Sequence, residues 1–228
     1  MAYYRTLRRI AWLRRNRCSL LLGWLCLIIL ANPLFGQTAL GHKGLSVGLL
    51  LMLVLATWAL RMRRARLAAL VGLAVVTTVL VLVVPSDEHW LRPVTNGTMA
   101  LFNGIVTIAL LRYVLDWHVI NTDKVFGAVA AYVLVAITFA CIFCMLQYIE
   151  TQAFHIAQVN DPDGKLTWSD AMYFSFTVLT STGFGEITPV TGRARALIVI
   201  EQVLGVMYVA FLVARLASLY GTKERRRE

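Results

Sequence analysis

The segment from residue 167 to residue 186 combines residue types and spacing that can bind an ion through the backbone. Its second half reads Thr180-Ser181-Thr182-Gly183-Phe184-Gly185-Glu186. Glycine adopts positive φ angles that other residues rarely adopt, so alternating glycines let successive carbonyl groups point toward one axis. Rings of such carbonyls replace the hydration shell of a potassium ion, and a hydroxyl from Thr180 or Ser181 can add an inner ring. The sequence therefore predicts a carbonyl-lined ion pathway over the segment from Thr180 to Gly185, the filter.

The first half of this segment predicts a short helix that positions the filter. Thr167 and Asp170 have the spacing of a capping box, which opens a helix. About twelve residues give a length of about 18 Å, a little over half of the roughly 30 Å hydrocarbon core. The helix C-terminus would then lie near the middle of a bilayer, where its partial negative charge favours a cation. The candidate functional residues of this helix are Asp170, Tyr173, Phe174 and Thr177.

The composition indicates that a bilayer surrounds these elements. Hydrophobic residues make up 59% of the 228 residues and charged residues 15%, and the mean hydropathy is +0.70. Because about 20 mostly apolar residues cross the hydrocarbon core, the sequence predicts six transmembrane helices. They span about 18–35, 45–60, 67–84, 96–115, 125–148 and 195–219, whereas 168–179 is too short to cross. We therefore predict an all-α membrane protein with six transmembrane helices plus a re-entrant pore helix and a selectivity filter.

The distribution of basic residues predicts the orientation. The net charge is +10, and most of the 22 Lys and Arg residues fall on one side of the predicted spans. By the positive-inside rule this side is cytoplasmic and holds both termini. Its charges suit anionic lipid head groups. The sequence has no nucleic-acid-binding module, so we expect no nucleic-acid partner. The inner residues are Arg5, Arg8, Arg9, Arg14, Arg15, Arg17, Arg61, Arg63, Arg64, Arg66, Arg112, Lys124, Arg215, Lys223, Arg225, Arg226 and Arg227, and the outer ones are Lys43, Arg92, Lys165, Arg193 and Arg195.

At the filter residues the sequence resembles the potassium-channel family. The residues from Thr180 to Glu186 match the family signature T-x-x-G-Y-G-D, with Phe for Tyr and Glu for Asp. The resemblance extends from about residue 125 to about residue 220 and includes the pair Thr188-Pro189. It implies a homotetramer in which four chains close the ring of carbonyls. It also implies that K+ is the permeant ligand, bound in a selectivity filter at Thr180, Ser181, Thr182, Gly183 and Phe184, without a further cofactor. We expect the plasma membrane as the location.

Two departures from the family pattern concern the rigidity of the filter. Phe184 lacks the phenol hydroxyl that braces the filter in relatives, and Tyr173 and Phe174 stand where many relatives carry a Trp pair. Selectivity is expected to survive, because the ion ligands are backbone carbonyls. We nevertheless predict a filter that collapses or leaks sodium more readily than a Gly-Tyr-Gly filter. A non-selective cation channel is the alternative.

The last predicted helix carries the candidate gating residues. Gly205 matches the gating-hinge glycine of the family, and close packing of helices is the alternative explanation for a small residue there. Val209, Phe211 and Val213 lie toward the inner end, where a hydrophobic constriction can gate by dewetting.

Two carboxylates lie along the predicted pathway. Glu201 stands inside a span, and ionisable groups there usually face the protein interior or water. We interpret it as a brace that hydrogen-bonds the pore helix through Ser175 or Thr177, with direct ion contact as the alternative. Glu186 follows the filter at the outer mouth, where four such carboxylates would concentrate cations.

The chain divides into residues 1–117, with four predicted helices, and residues 118–228, the pore domain. The layout of the first part is like that of a voltage sensor, but a sensor needs several charges within one moving helix. The fourth predicted span contains only Arg112, at its inner end. The arginines at 61, 63, 64 and 66 lie between helices and are interpreted as a topology anchor. We predict weak or absent voltage dependence.

Other classes of protein fit the sequence less well. A secondary transporter is expected to contain paired repeats and broken helices, whereas the filter-like segment occurs once. A non-conducting accessory subunit that co-assembles with a channel stays open as an alternative. We expect no enzyme, because the histidines have no nucleophile or metal-ligand partner at motif spacing. They are His42, His89, His118 and His155.

Overall fold

The computed structural model describes residues 16–35, 44, 47–48, 64–83, 91–115, 122–157 and 166–224. These ranges are mostly helical: four helices come first, and two short strands flank the fifth described helix. Their bounds are α1 Arg17–Phe35, α2 Arg64–Val83, α3 Arg92–Leu115, α4 Thr122–Ile149, β1 Phe154–Ile156, α5 Trp168–Leu179, β2 Ile187–Pro189 and α6 Gly192–Glu224.

Three of the described helices are long and apolar enough to cross a membrane, namely α3, α4 and the Gly192–Arg215 part of α6. The 28 residues of α4 extend over about 42 Å, more than the roughly 30 Å of the hydrocarbon core. Shorter apolar helices occupy Arg17–Asn32 and Ala68–Val83. The chain is therefore a membrane protein. The predicted span 45–60 lies outside the described residues, apart from 47 and 48, so the count of six spans stays a prediction.

The start of α3 differs from the sequence-based expectation. The helix begins at Arg92, four residues before the predicted start of the span. Pro93 is compatible with this start, because a proline in the first turn gives up an N–H that has no helical partner there. The Leu91 carbonyl accepts two hydrogen bonds from Thr95, one from its amide at 3.0 Å and one from its side-chain hydroxyl at 3.1 Å. Arg92 thereby becomes part of α3.

Helix α4 is the central element of the described chain, because α1, α3, α5 and α6 all pack against it. Small residues permit the close approach of helices in a membrane, where packing rather than hydrophobicity drives association. The Asp123 carboxylate accepts a 2.9 Å hydrogen bond from the Cys18 amide and so joins the starts of α4 and α1. The buried small residues of α4 are Gly127, Ala128, Ala130, Ala131, Ala136, Ala140, Cys141 and Cys144.

A two-stranded antiparallel sheet, absent from the all-α expectation, forms beside the filter. Strands β1 and β2 pair with His155 opposite Thr188. Their three-residue length is too short for a recognisable alternation of apolar and polar residues. Next to the sheet the Ala157 amide donates to the Glu186 carbonyl at 2.9 Å, and the Val190 amide donates to the Ala153 carbonyl at 2.9 Å. The sheet thus fixes the backbone that leaves the filter.

Candidate functional site

Helix α5 is the predicted short helix, and it runs from Trp168 to Leu179. The capping box is confirmed: the Asp170 amide donates to Thr167 Oγ1 at 3.3 Å, and the Thr167 amide donates to Asp170 Oδ2 at 3.0 Å. A contact that the sequence did not predict adds to this cap. Asn32 Nδ2 of α1 donates to Ser169 Oγ at 3.3 Å. The first turn of α5 is therefore held both locally and by a distant helix.

An aromatic cluster anchors the middle of α5. The Phe174 ring lies 5.4 Å from the Phe143 ring of α4 and 5.7 Å from the Phe154 ring of β1, measured between centroids. The Phe174 side chain is buried. Tilted and edge-on aromatic pairs at these distances add to the stabilisation from burial. Phe174 is consequently a packing residue that sets the position of α5 against α4.

The backbone after α5 alternates between two conformations. Positive φ angles occur at Ser181 (57°), Gly183 (56°) and Gly185 (86°). The prediction for the two glycines is confirmed, whereas Ser181 was missed, although the same two-residue spacing extends to it. A left-handed conformation costs a residue with a side chain about 1 kcal/mol, so the surroundings must hold Ser181 in place. Such an alternation allows successive carbonyls to turn toward one side, and all residues from 180 to 186 are exposed.

Hydrogen bonds seat the inner half of this segment on the end of α5. The amides of Thr182 and Gly183 donate to the Thr177 carbonyl at 2.8 and 3.3 Å, and the Ser181 amide donates to the Val178 carbonyl at 2.9 Å. The Thr180 hydroxyl donates to the Phe176 carbonyl at 2.7 Å. The carbonyls at a helix C-terminus lack helical partners. Here the filter itself supplies most of these partners.

Phe184 and Glu186, in the second half of the segment, both contact Tyr173 of α5. The Tyr173 hydroxyl donates to Glu186 Oε2 at 2.9 Å, and the Tyr173 ring stacks on the Phe184 ring at 6.2 Å with an angle of 7° between the planes. Reduced hydration and the Glu186 carboxylate raise the pKa of the Tyr173 phenol. Since its ordinary pKa is about 10, the phenol remains a donor at neutral pH. Tyr173 thus provides a hydroxyl at this end of the filter, although residue 184 has none.

Glu201 of α6 contacts α5 and is fully buried. Its Oε1 atom is hydrogen-bonded to Ser175 Oγ, which also lies 2.7 Å from the Ala136 carbonyl of α4. Of the two partners considered from the sequence, Ser175 makes this contact, whereas the Thr177 hydroxyl donates to the Phe174 carbonyl at 2.8 Å. The Glu201 carboxyl therefore connects α4, α5 and α6.

Gly205 stands where α6 passes the end of α5. A Cβ atom at this position would lie 2.0 Å from the Leu179 carbonyl oxygen. This is far inside van der Waals contact, so close packing gives a direct structural reason for glycine here. The hinge role remains a prediction. The other gate candidates expose their side chains on α6: Val209 is 48% exposed, Phe211 56% and Val213 59%.

Two tyrosines that the sequence did not single out meet beside Gly205. The Tyr132 hydroxyl of α4 donates to the Leu179 carbonyl at 3.1 Å, and the Tyr208 hydroxyl of α6 donates to the Ala128 carbonyl at 2.6 Å. Their ring centroids are 5.4 Å apart. A buried tyrosine hydroxyl usually has a hydrogen-bond partner, but the sequence does not say which one.

Comparison with known proteins supports an ion channel as the class of this membrane protein. Residues 130–221 match the model of a family described as ion channel, and this range contains α5, the filter and most of α6. The chain is also similar to Protein LctB of Geobacillus stearothermophilus, with 29% identity over 123 residues. That alignment covers 50% of this chain and 91% of the relative. No solved structure matches the chain.

Proposed function

We propose that this chain is one subunit of a homotetrameric potassium-selective channel that conducts K+ passively across the plasma membrane. One observation carries the proposal. The positive φ angles at residues 181, 183 and 185 alternate with ordinary conformations in an exposed segment that is hydrogen-bonded to the end of α5. Such a backbone turns successive carbonyls toward one side, and rings of carbonyls can replace the hydration shell of K+.

The tetramer supplies the other walls of the pathway. One chain carries one exposed row of carbonyls, so a closed ring needs further copies. The apolar face that α6 leaves exposed supports the same arrangement, because neighbouring subunits can cover it. This face includes Val199, Val203, Val206 and Met207, each about half exposed or more.

The side chains of the filter have distinct roles in this proposal. The Thr180 hydroxyl is engaged with the Phe176 carbonyl. A hydroxyl that donates its hydrogen keeps its lone pairs, and Thr180 and Ser181 are both exposed, so either hydroxyl can supply the inner ring. Glu186 concentrates cations at the outer mouth, where Tyr173 orients its carboxylate. A hydrophobic constriction of α6 gates by dewetting, with Val209 and Val213 on one face of the helix and Phe211 on the opposite face.

Weak or absent voltage dependence and cytoplasmic termini complete the proposal. The described α3 carries Arg92 at its start and Arg112 in its last turn, so these two arginines lie at opposite ends of the helix. At the inner side, Arg215 of α6 donates to the Val114 carbonyl near the end of α3. A cation is favourable at a helix C-terminus. The arginines of the inner face attract anionic lipids.

The test is a planar-bilayer recording of the purified protein alone under a potassium/sodium bi-ionic gradient. We expect a reversal potential near the potassium equilibrium value and a conductance that changes little with voltage. A reversal potential near zero would instead favour a non-selective cation channel. Absence of current at every voltage would favour a non-conducting accessory subunit. A steep conductance–voltage curve would contradict the proposed lack of a sensor.

We expect Phe184→Tyr to make the filter more stable in its conducting form. The added hydroxyl can brace the filter from behind, so the variant should inactivate more slowly and leak less sodium than the wild type. The measurement is the time course of current decay together with the reversal potential in the same bilayer. Val190→Ile is a control at an exposed position beyond the filter. Unchanged decay and selectivity in Phe184→Tyr would contradict the expectation.

A further inference from the structure

Helices α4, α5 and α6 are in contact at the carbonyl oxygen of Leu179, next to the start of the filter. This oxygen belongs to the last residue of α5. It accepts a 3.1 Å hydrogen bond from the Tyr132 hydroxyl of α4. It also occupies the space that a Cβ atom on Gly205 of α6 would need, at 2.0 Å. Tyr132 contributes a hydrogen-bond donor to this oxygen, whereas Gly205 leaves room for it because glycine has no side chain.

The hydrogen bonds at the end of α5 show why this carbonyl differs from its neighbours. The amides of residues 180 to 183 donate to the carbonyls of Phe176, Thr177 and Val178. None of these amides donates to Leu179. The Leu179 carbonyl therefore accepts its hydrogen bond from another helix, through the Tyr132 hydroxyl. The preceding carbonyls of α5 accept theirs from the filter backbone.

The peptide group between Leu179 and Thr180 is consequently held on both sides. Its N–H donates to the Phe176 carbonyl at 3.0 Å, and its C=O accepts from Tyr132. A peptide group is planar, so fixing both of its polar atoms fixes the direction in which the chain enters the next residue. That next residue is Thr180, and the left-handed Ser181 follows it.

We infer that Tyr132 is a positioning residue for ion conduction, which rests on the proposed channel function. Its hydroxyl fixes the peptide group from which the filter starts, and Gly205 leaves the space that this carbonyl requires. Without the hydroxyl, the Leu179 carbonyl has no donor among the described residues. The peptide group keeps its N–H bond to Phe176, but its rotation is less restricted. Rotation of that peptide group turns the first filter carbonyls away from the axis, which reduces the discrimination between K+ and Na+.

The experiment compares Tyr132→Phe with Tyr208→Phe in full-length channels reconstituted in bilayers. Each variant removes one hydroxyl from the same ring pair and keeps both rings. The Tyr208 hydroxyl donates to Ala128, in the interior of α4, where the carbonyl also belongs to the helical ladder. We expect the potassium-to-sodium permeability ratio to fall about tenfold in Tyr132→Phe, the size of one lost hydrogen bond, and to stay near wild type in Tyr208→Phe. The reversal potential gives this ratio whatever number of channels has folded.

Each result of this experiment either supports or contradicts the positioning role of Tyr132. A selective wild type with equal ratios in the two variants would overturn the positioning role and leave the proposed function intact. A non-selective or silent wild type would overturn the proposed function and the inference with it. If Tyr132→Phe does not survive reconstitution, its thermal midpoint in detergent is compared between KCl and NaCl. A smaller potassium-dependent rise than in Tyr208→Phe supports the role, and an equal rise contradicts it.

Discussion

Gly205→Ala is expected to destabilise the protein strongly and to remove most of its channel current. The added methyl group would lie 2.0 Å from the Leu179 carbonyl oxygen and 2.9 Å from the Leu179 carbonyl carbon. Backbone atoms cannot move aside as a flexible side chain can, so α6 must shift away from α5. Overpacking of this kind costs about 1–3 kcal/mol, and a backbone clash belongs at the upper end of that range. The measurement is the thermal midpoint of the detergent-solubilised protein, followed by bilayer recording.

Gly23→Ala is the matched control, because it makes the same change in α1 at a position with nothing within 4 Å of the added atom. It should leave the midpoint unchanged or raise it, since alanine favours a helix by about 1 kcal/mol over glycine. The pair also separates the two explanations of Gly205. Close packing predicts a lower midpoint, whereas a hinge predicts an unchanged midpoint with altered opening. A Gly205→Ala protein as stable as Gly23→Ala would contradict the packing explanation.

Glu201→Ala is expected to have the second largest effect, and Glu201→Gln only a small one. The alanine variant removes a fully buried side chain that connects α6 to Ser175. It loses a hydrogen bond and leaves a cavity, together worth about 2–3 kcal/mol per subunit. Thermal midpoints of the solubilised variants measure this loss. A drop in potassium selectivity should accompany it, because Ser175 lies in the helix that seats the filter.

We expect a small effect of Glu201→Gln because of the number of hydrogens available between Ser175 and its two neighbouring oxygens. The Ser175 hydroxyl has one hydrogen and lies next to two oxygens, those of Ala136 and Glu201. Both contacts are satisfied when the Glu201 side chain is neutral and donates to Ser175. Glu201 Oε2 is buried and has no hydrogen-bond partner in the described part of the chain, and an unpaired buried charge is costly. A glutamine amide can make the same donation. A midpoint for Glu201→Gln as low as for Glu201→Ala would contradict a neutral acid and favour direct ion contact.

Features that depend on neighbouring residues in the chain could be predicted from the sequence. The Thr167–Asp170 capping box and the length of α5 were confirmed because a cap is set by residues three apart. The positive φ angles of Gly183 and Gly185 follow from the missing Cβ of glycine. The apolar stretches of α3, α4 and α6 were recognisable because crossing a bilayer requires about 20 such residues in a row.

The tertiary structure alone decided which distant residues hold this site together. Tyr132 and Leu179 are 47 positions apart, and Asn32 and Ser169 are 137 apart. No local pattern marks such partners, since several hydroxyl groups and carbonyls are compatible with each donor. The choice of Ser175 over Thr177 for Glu201, and the lack of space at Gly205, likewise depend on how closely α4, α5 and α6 approach. The sequence by itself determined the apolar helices, the length of α5 and the conformations of Gly183 and Gly185, because these depend on local sterics and length, whereas Ser181 was missed. Packing determined what braces them.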